Sequence, residues 1–578
     1  MQLVGGLLFL ALGMTSACSL VYDLSADQCE LDGDCVVKGL GNKCVAGVCD
    51  PSSSSTGGMG AGGGSGGDGG KGGCTSNAEC LDAPDRLGLT ACLQGACVKL
   101  TNDTTCPSVL PSDELKLEQQ LRETAEPIVL GAFAPLFPPQ RESPFSHNFD
   151  LAFTAFNKET AGGVSVSGGQ RALIAVLCET PLDGEAGPYP IEQYHESLDH
   201  LVDTLKVPGI VAAMYAPELK SGFDYKRTNT SADPMWISSL DSDSLLVAKP
   251  DNGLIWQMMP TGEEVALPVK PLLTRVLDAK ALEEPARVAL IVDRDIQSCI
   301  DMSSTILDKD NGIEFNGEIA IDQTEDTFRT FSTHTTDAPG DLVGVVQDLL
   351  EFQPHVILAM TDLAFYNQIF TPLENQWSDA TDDAPKPFYI VSPFHFSARG
   401  LGPSLNRYKT RMAGINAAAS TDRVLVNTYL NLYRSEFQGE ESYEGFENFY
   451  DAPYFLIYAA AAAAPVASQQ LRGQDLVDGM KRLVDMDARQ YRLGISKIPA
   501  TLQALAIGNI RLDGTMGPPE FNANTGSRTT PGSVWCATDT STQPLITDVL
   551  LYKDGALELG VDLANGVQLE ELPCAAEF

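Results

Sequence analysis

Hydrophobic and polar residues alternate along the chain in two recurring patterns from residue 127 onward. Near-continuous apolar runs, such as PIVLGAFAPLF from Pro127 and RALIAVLCET from Arg171, are typical of parallel strands that are buried on both faces. Between these runs, the apolar residues of NFDLAFTAFNKET recur at i, i+3, i+4 and i+7 from Phe149, which predicts a helix. Strands and helices that alternate in this way predict an α/β fold.

The same alternation begins a second time at Ala286, in ARVALIVDRD, and continues through IQSCIDMSSTIL, HVILAM and PFYIVS. Two successive series of this kind predict two doubly wound lobes, each built on a parallel sheet with helices on both faces. A helical stretch from Thr421 to Val484 follows, and after it a C-terminal region that is richer in turns and strands.

Composition and charge narrow the range of partners. The chain has 578 residues, of which 43% are apolar and 20% charged, which is ordinary globular composition in a length that predicts more than one domain. Its 38 basic and 77 acidic residues give a net charge of -39, which repels the phosphates of nucleic acids. We therefore expect no nucleic acid partner.

Residues 1–17 are almost wholly apolar or small and predict an export signal peptide. Their apolar segment VGGLLFLALGM is about eleven residues long, which is too short to span a bilayer. Small residues precede Cys18 as in the bacterial lipobox, although Thr15 stands where that motif usually has Leu. This resemblance favours a lipidated Cys18 over a plainly cleaved signal peptide. Ser19, the residue after Cys18, resembles the residues that direct such lipoproteins to the outer membrane. We therefore predict an exported protein, lipid-anchored in the bacterial cell envelope at the outer membrane, on its periplasmic face or at the surface.

One later apolar run needs a separate interpretation. YFLIYAAAAAAPVA, from Tyr454, covers only about fourteen residues and predicts a buried helix rather than a membrane span.

Two cysteine clusters follow the signal and are spaced alike. The first, in residues 18–50, holds Cys29, Cys35, Cys44 and Cys49 with spacings x5, x8 and x4, and the second, in residues 74–106, holds Cys74, Cys80, Cys92 and Cys97 with spacings x5, x11 and x4. Each cluster has too few large apolar residues for a core, so we predict that disulfides hold it together. Zinc is the alternative, but neither cluster has a CxxC pair or a histidine. The pairing within each set of four stays open.

Residues 51–73, between the clusters, are rich in Gly and Ser and predict a flexible linker. Beyond the clusters, a lipidated Cys18 leaves five cysteines, of which one should remain a reduced thiol. Cys299 is the natural choice, because it lies on the apolar side of a predicted helix. The remaining disulfides are then Cys106 with Cys178 and Cys536 with Cys574.

Several segments, taken in order, resemble one family. IVLGAFAPLF resembles its opening strand, AFTAFNKETAGGVSVSGGQRALIAVLCET its first helix, Gly pair and second strand, and ARVALIVDRDIQ and FQPHVILAM strands of its second lobe. ENFYDAPYFLIYAAAAA contains the Tyr450–Ala452 segment that opens a helix, and GTMGPPEFNANTG resembles the segment before the last interlobe crossing, with Asn522 where Asp is usual. The region from about Pro127 to about Thr540 is thereby similar to the type I periplasmic binding proteins, in the leucine/isoleucine/valine-binding branch.

This resemblance implies two lobes joined by a hinge of three crossings, with a ligand held in the cleft and closure by hinge bending. We expect the core at residues 125–540 and a C-terminal segment at residues 561–578. Lobe 1 is expected at about 125–265 and 405–525, and lobe 2 at about 266–404 and 526–560.

Candidate ligand-binding residues lie just past the predicted strand ends, since ligands of parallel sheets bind beyond the carboxyl ends of the strands. They are Tyr215, Glu218, Ser239, Asp241, Ser242, Asp362 and His395. Amino-acid binders of the family hold the ligand's carboxylate with hydroxyls of the first lobe and its ammonium with an aromatic side chain and a carboxylate. In this sequence Ala216 and Pro217 stand where serines are usual, and Phe394 and His395 where the second-lobe carboxylate is usual. A branched-chain amino-acid specificity is therefore not expected.

No sequence motif points to catalysis or to a bound metal. The chain has no P-loop, and the histidines of HESLDH, His195 and His200, do not share a helical face. We predict no enzyme activity, no cofactor and no metal site.

Two functional hypotheses follow from these features. The first is a non-catalytic, membrane-tethered binding protein that closes on a small polar ligand, such as an amino acid or an amide, for ABC uptake or sensing. Its partners would be that ligand, the membrane through the lipid only, and an ABC permease or another envelope protein. The alternative is a surface lipoprotein with an interaction or scaffold role, whose binding fold no longer takes a small solute.

Overall fold

A computed structural model describes most of the chain from residue 73 onward. The described residues are 43–45, 48–50, 73–84, 86, 88–136, 142–160, 162–167, 169–180, 191–228, 230, 232–240, 242–247, 251–334, 342–362, 365–380, 385–393, 395, 411–417, 423–438, 446–464, 470–522, 525–529, 532–537, 545–553, 555–559, 561–562 and 567–568. The chain divides into two compact units, residues 1–71 and residues 72–578. The predicted signal peptide, Cys18, Cys29, Cys35, most of the predicted linker, Asp241 and Cys574 lie outside the described residues.

In the first unit, the structure describes one antiparallel hairpin, which consists of β1 (Lys43–Val45) and β2 (Val48–Asp50). The second cysteine cluster begins with helix α1 (Asn77–Leu81) and continues with the hairpin of β3 (Thr90–Leu93) and β4 (Ala96–Lys99). Its disulfides join Cys74 to Cys92 and Cys80 to Cys97, so the first cysteine pairs with the third and the second with the fourth. The sulfurs of Cys74, Cys80 and Cys92 lie within 4.8 Å of one another, and their disulfides leave them no thiolate with which to bind a metal.

The first lobe follows directly. Its strands are β5 (Ser108–Leu110), β6 (Ala125–Ala134), β7 (Val164–Val166), β8 (Gly169–Glu179), β9 (Gly209–Ala212), β10 (Met235–Ser238) and β11 (Ile255–Gln257). Its helices are α2 (Glu114–Glu123), α3 (Pro144–Glu159), α4 (Ile191–Leu198), which continues as a π-helix (Asp199–Thr204), α5 (Ala216–Lys226) and α6 (Ser244–Val247).

The chain then passes to the second lobe through α7 (Gly262–Val265). The helices of that lobe are α8 (Val269–Lys280), α9 (Gln297–Ile306), α10 (Val343–Phe352) and α11 (Thr371–Ala380), with a π-helix (Tyr366–Phe370) before α11. Its strands are β12 (Val288–Asp293), the hairpin β13 (Glu314–Phe315) and β14 (Glu318–Ile319), β15 (Phe328–Thr333), β16 (Val356–Met360), β17 (Phe388–Val391) and β18 (Met412–Asn416).

The chain returns to lobe 1 with a helical segment and then enters lobe 2 again. The returning elements are α12 (Arg423–Glu436), α13 (Glu447–Ala463), α14 (Gly473–Leu483), β19 (Gln490–Arg492), α15 (Ile498–Leu505) and β20 (Arg511–Asp513). The last strands are β21 (Ser533–Ala537), β22 (Leu545–Lys553), β23 (Ala556–Leu559), β24 (Val561–Asp562) and β25 (Val567–Gln568).

Both main sheets have the same parallel strand order. In lobe 1 the order is β11-β10-β9-β6-β8-β5, and in lobe 2 it is β15-β12-β16-β17-β18-β21-β22-β23. When only the parallel strands are counted along the chain, each lobe reads 2-1-3-4-5, which is a doubly wound order. The chain moves between the two sheets three times, which confirms the predicted fold class of two doubly wound α/β lobes with three crossings.

One lobe boundary differs from the expectation. The sequence places the return to lobe 1 at about residue 405, but β18 pairs in parallel with β17 inside the second sheet. The return crossing therefore lies after Asn416. The sequence of a five-residue strand does not show which strand it pairs with, because strand pairing is a contact between residues that are far apart in the sequence.

Helix α13 contains the apolar run from Tyr454 as far as Ala463 and is buried in lobe 1, where it packs against α3 and α14. Among the described residues, no helix is both long and apolar enough to cross a membrane.

The second cysteine cluster packs directly on lobe 1 and shares its hydrophobic core. The buried Asn77 side chain connects the two, because its amide donates to the carbonyls of Leu121 and Ala125 at 3.0 Å and its oxygen accepts from the Cys92 backbone N–H at 3.0 Å. Past the cluster, β5 adds an antiparallel edge strand beside β8, and a disulfide between Cys106 and Cys178 ties the two together. These residues are part of the lobe's structure.

Cys536 is disulfide-bonded, and Cys299 carries a buried thiol that forms no disulfide. Cys574, the expected partner of Cys536, lies outside the described residues.

We expect Asn77→Ala to lower the free energy of unfolding by about 1–3 kcal/mol, because buried backbone groups of both β3 and the α2–β6 connection lose their partner. Denaturant unfolding of the full chain measures this loss. Gln119→Ala, at an exposed position of α2, is the matched control and should unfold like the unmodified chain. Equal stability of the two variants would contradict the role of Asn77.

We also expect the first cysteine cluster to pair as the second does. The β1–β2 hairpin places Cys44 opposite Cys49, as the β3–β4 hairpin places Cys92 opposite Cys97. The expected disulfides are Cys29–Cys44 and Cys35–Cys49, and peptide mapping by mass spectrometry without reduction detects them. A peptide that links Cys44 to Cys49 would contradict the expectation.

Candidate functional site

The candidate site consists of the carboxyl ends of the parallel strands in the two lobes, where ligands of doubly wound sheets bind. In lobe 1 these ends are the residues after β6, β8, β9, β10 and β11, and in lobe 2 the residues after β12, β15, β16, β17 and β18. Parallel pairing aligns these ends along one edge of each sheet. The predicted ligand-binding residues were chosen by this rule.

The first-lobe residues chosen from the sequence have different environments. Tyr215 precedes α5 and is 48% exposed, and Glu218 lies in the first turn of α5 and is half-buried. Ser239 is buried, its hydroxyl donates to the carbonyl of Ala212 at 3.0 Å, and its own carbonyl accepts from the Asn448 side chain. Ser239 therefore joins the ends of β9 and β10 to helix α13.

Ser242 lies near the first interlobe crossing, because its carbonyl accepts from the N–H of Gly262 at 2.8 Å.

In the second lobe, Asp362 follows β16 and is half-buried, while His395 is fully buried. The His395 Nε2 atom lies 3.2 Å from the Thr361 hydroxyl oxygen, and the ring packs edge-on against Phe365 and Tyr366. Burial lowers the pKa of His395 to about 3, so the imidazole is neutral at physiological pH. His395 thus cannot supply a positive charge to a ligand.

Asp293 belongs to the same edge, although it is not among the residues chosen from the sequence. It ends β12, is 3% exposed, and accepts from the N–H of Asp295 at 2.9 Å. The Asp295 carboxylate in turn lies 2.9 Å from His334 Nδ1. Burial, followed by the nearby Asp362 and Asp295 carboxylates, raises the pKa of Asp293. The strand-end rule would have selected Asp293, because it stands at the end of the apolar run ARVALIVD.

Several strand ends also carry buried polar atoms that have no hydrogen-bond partner among the residues that the structure describes. They are Thr180 Oγ1 after β8, Ser238 Oγ in β10, Gln257 Oε1 and Nε2 in β11, and His395 Nδ1 after β17. Ser238 and Gln257 are direct neighbours, because they pair in register on adjacent strands and are both 0% exposed. A buried polar group that stays without a partner costs free energy, so in native proteins such groups are paired by ordered water or a ligand, or are kept in a strained or catalytic site.

Gln257 also lies where the first and third crossings run side by side. Its backbone N–H donates to the carbonyl of Gly526 at 2.9 Å, and Gln257 forms a parallel bridge with Ser527. Gly526 has φ +69, and a Cβ atom there would come within 1.9 Å of the Ile255 carbonyl oxygen. Only glycine fits this position, so the two crossing strands are held at a close, fixed distance.

The third crossing is fixed to lobe 1 by a buried carboxylate. Asp451, in α13, is 0% exposed and accepts from the N–H and hydroxyl of Thr515, at 3.0 and 2.7 Å, and from the N–H of Met516 at 3.0 Å. A Cβ atom on Gly514 would come within 2.1 Å of the Asp451 carboxylate, so the loop needs glycine there. The sequence segments ENFYDAPYF and GTMGPPEF are thus direct partners in the structure.

The guanidinium of Arg528 completes this cluster. It is buried and donates to the carbonyls of Gly517 and Pro518, at 3.1 Å each. Burial lowers the pKa of Arg528 to about 10, and the nearby Asp451 charge partly opposes this effect. Arg528 therefore stays charged at neutral pH, beside Asp451 and at the start of the third crossing.

Comparison with solved structures finds similarity to substrate-binding proteins of ABC transporters. One from Desulfitobacterium hafniense, solved with leucine, is 13% identical, with 75% of this chain and 100% of that chain covered and a TM-score of 0.44. A solute-binding protein from Rhodopseudomonas palustris BisB5, in complex with 3,4-dihydroxybenzoic acid, is 11% identical, with 76% and 99% covered and a TM-score of 0.49. One from Aeropyrum pernix is 13% identical, with 78% and 97% covered and a TM-score of 0.48. No protein-family model and no curated protein matches the chain.

We expect Gln257→Met to raise the free energy of unfolding by about 1–3 kcal/mol, because an apolar side chain of similar length removes two unpartnered buried atoms. Thermal unfolding of the full chain measures this gain. Gln119→Met, at an exposed position of α2, is the control for the change in composition. A lower stability of the Gln257 variant would mean that ordered water already satisfies the amide.

Proposed function

We propose that this protein is a non-catalytic, extracytoplasmic binding protein whose two lobes close on a small polar ligand. The observation that carries the proposal is the set of buried, unpartnered polar atoms at the strand ends, of which Ser238 and Gln257 form an adjacent pair beside the hinge. Two doubly wound sheets joined by three crossings support hinge closure around such a site. A ligand that pairs with these atoms repays their desolvation only when the lobes enclose it.

The ligand contacts we propose are Tyr215, Glu218, Ser239, Asp241, Ser242, Asp362 and His395, together with Ser238, Gln257 and Asp293. The three added residues share the strand ends with the others and are buried. Asp293 gives the second-lobe edge a carboxylate next to Asp362, which suits a donor group on the ligand such as an amide or an ammonium.

A catalytic role is not supported by the strand-end pairs that the structure describes. The Thr361 hydroxyl and His395 Nε2 lie at the distance of a nucleophile and its base, but the lowered pKa of His395 makes the imidazole too weak a base to take the hydroxyl proton at neutral pH. Their hydrogen bond therefore belongs to the packing of lobe 2.

We also propose where in the cell the protein lies. The predicted signal peptide and lipidated Cys18 would hold the binding lobes at the outer membrane through residues 18–73. An ABC permease or another envelope protein would then receive the ligand or the signal. The peptide map described above also tests the anchor, because an N-terminal peptide that begins at Cys18 would carry the added mass of the lipid.

The alternative function is a surface lipoprotein that has lost its solute. One observation favours it: Ala216 is buried and Pro217 follows it at the start of α5, so this strand end offers no serine hydroxyl where the family has serines. Protease added to intact cells would then cleave the protein, and other envelope proteins would bind it. No small molecule would bind.

Native mass spectrometry of the full chain, followed by thermal-shift screening with amino acids, amides and aromatic acids, tests the proposed function. We expect one class of compound to raise the melting temperature, and Asp293→Asn to weaken its binding at least about tenfold through loss of a charged acceptor. Asp326→Asn, at an exposed position of lobe 2, is the matched control. If no compound binds and scattering shows no lobe movement, the scaffold function is the correct one.

A further inference from the structure

The second lobe contacts the first through one side chain of helix α9. Asp301 is 5% exposed, and one of its carboxylate oxygens accepts from the backbone N–H of Ser244, the first residue of α6 in lobe 1, at 3.1 Å. The other oxygen accepts from the Gln297 side chain, one turn earlier in α9, at 2.8 Å. Asp301 is therefore a buried carboxylate that bridges the two lobes.

The first crossing passes through the same contact. The N–H of Gly262 donates to the carbonyl of Ser242 at 2.8 Å, which joins the crossing to the loop after β10. A Cβ atom on Gly262 would come within 2.5 Å of the Ser298 carbonyl oxygen and 2.9 Å of the Asp301 Cβ atom. The first turn of α9 thus lies so close to the crossing that no side chain fits between them.

Three separate parts of the chain meet in this junction, which consists of Ser242–Ser244 of lobe 1, Gly262 of the crossing and Ser298–Asp301 of lobe 2. A hydrogen bond to a carboxylate is stronger than one between neutral groups, and its burial here keeps water from competing for it. When the lobes separate, the Ser244 N–H and the Asp301 carboxylate both return to water. The bond therefore contributes only in the arrangement that the structure shows.

We propose that this junction is a latch that sets the balance between the joined and the separated arrangement of the lobes. It rests on the proposed two-lobe closure, but it acts in the absence of ligand and needs no knowledge of what the ligand is. Ligand contacts at the strand ends and the Asp301–Ser244 bond then stabilise the same arrangement, so each strengthens the other.

The test measures the distance between the lobes in the full-length protein without ligand. Fluorophores attached through unnatural amino acids at the exposed positions Glu192 in lobe 1 and Glu325 in lobe 2 report this distance in single molecules. We expect Asp301→Ala to shift the ratio of joined to separated molecules by about tenfold toward separation, the effect of one hydrogen bond to a charged group. Hydrogen exchange of the Ser244 amide should accelerate in the same variant.

Three further variants separate a latch from a merely structural role. Asp301→Asn keeps an acceptor oxygen and should recover part of the joined population, while Gly262→Ala should favour separation by steric displacement of α9. Ser304→Ala, at an exposed position of α9, is the control and should behave like the unmodified chain.

An unchanged distance distribution in Asp301→Ala, or a lower melting temperature with no change in distance, would overturn the proposal. If Gly262→Ala does not fold, the Asp301→Ala and Asp301→Asn variants still test whether the junction is a latch. A failure to find any ligand would count against the proposed function and leave the outcome of this experiment unaffected.

Discussion

One buried carboxylate, that of Asp451, holds together the parts of the chain on which the two-lobed arrangement depends. It accepts three hydrogen bonds from Thr515 and Met516, in the loop that leads to the third crossing. Separation of that loop from α13 would leave all three donors unpaired inside the protein, and each buried unpaired donor costs about 1–3 kcal/mol. Arg528 fixes the far end of the same loop through backbone carbonyls. The third crossing thus starts from a position in lobe 1 that these hydrogen bonds fix.

These hydrogen bonds explain how two segments that are distant in the sequence come together. The helix that begins at Glu447 supplies the carboxylate, and Gly514 of GTMGPPEF allows the backbone to approach it. Contacts of this kind are invisible to hydrophobic periodicity.

The fold could be predicted from the sequence where the physical signal is local. Strands such as β6, β8 and β12 are buried on both faces, so they are continuous apolar runs, and the helices between them show the helical period. The docking of the second cysteine cluster on lobe 1 has no such signal, because Asn77 binds backbone carbonyls that any residue could supply. The strand-end rule likewise selected Asp362 and Ser239 correctly as strand-end residues. It did not select Gln257, because a polar residue inside an apolar run becomes conspicuous only when the structure shows that its atoms have no partner among the described residues.

The two kinds of interaction near the hinge act in opposite directions, and their difference decides what a ligand must supply. Where the joined arrangement keeps water and ligand away from Ser238 and Gln257, their unpartnered atoms raise its free energy, each by an amount on the order of 1–3 kcal/mol. The bond from Ser244 to Asp301 and the close fit at Gly262 lower it by a similar amount. A protein whose joined and separated states nearly balance responds to weak binding, because a ligand shifts the equilibrium only by its difference in affinity for the two states. A ligand that pairs with the amide of Gln257 removes the free-energy cost of its unpartnered atoms and adds favourable hydrogen bonds at the same atoms. Closure and recognition would then be one event, located where the first and third crossings lie side by side.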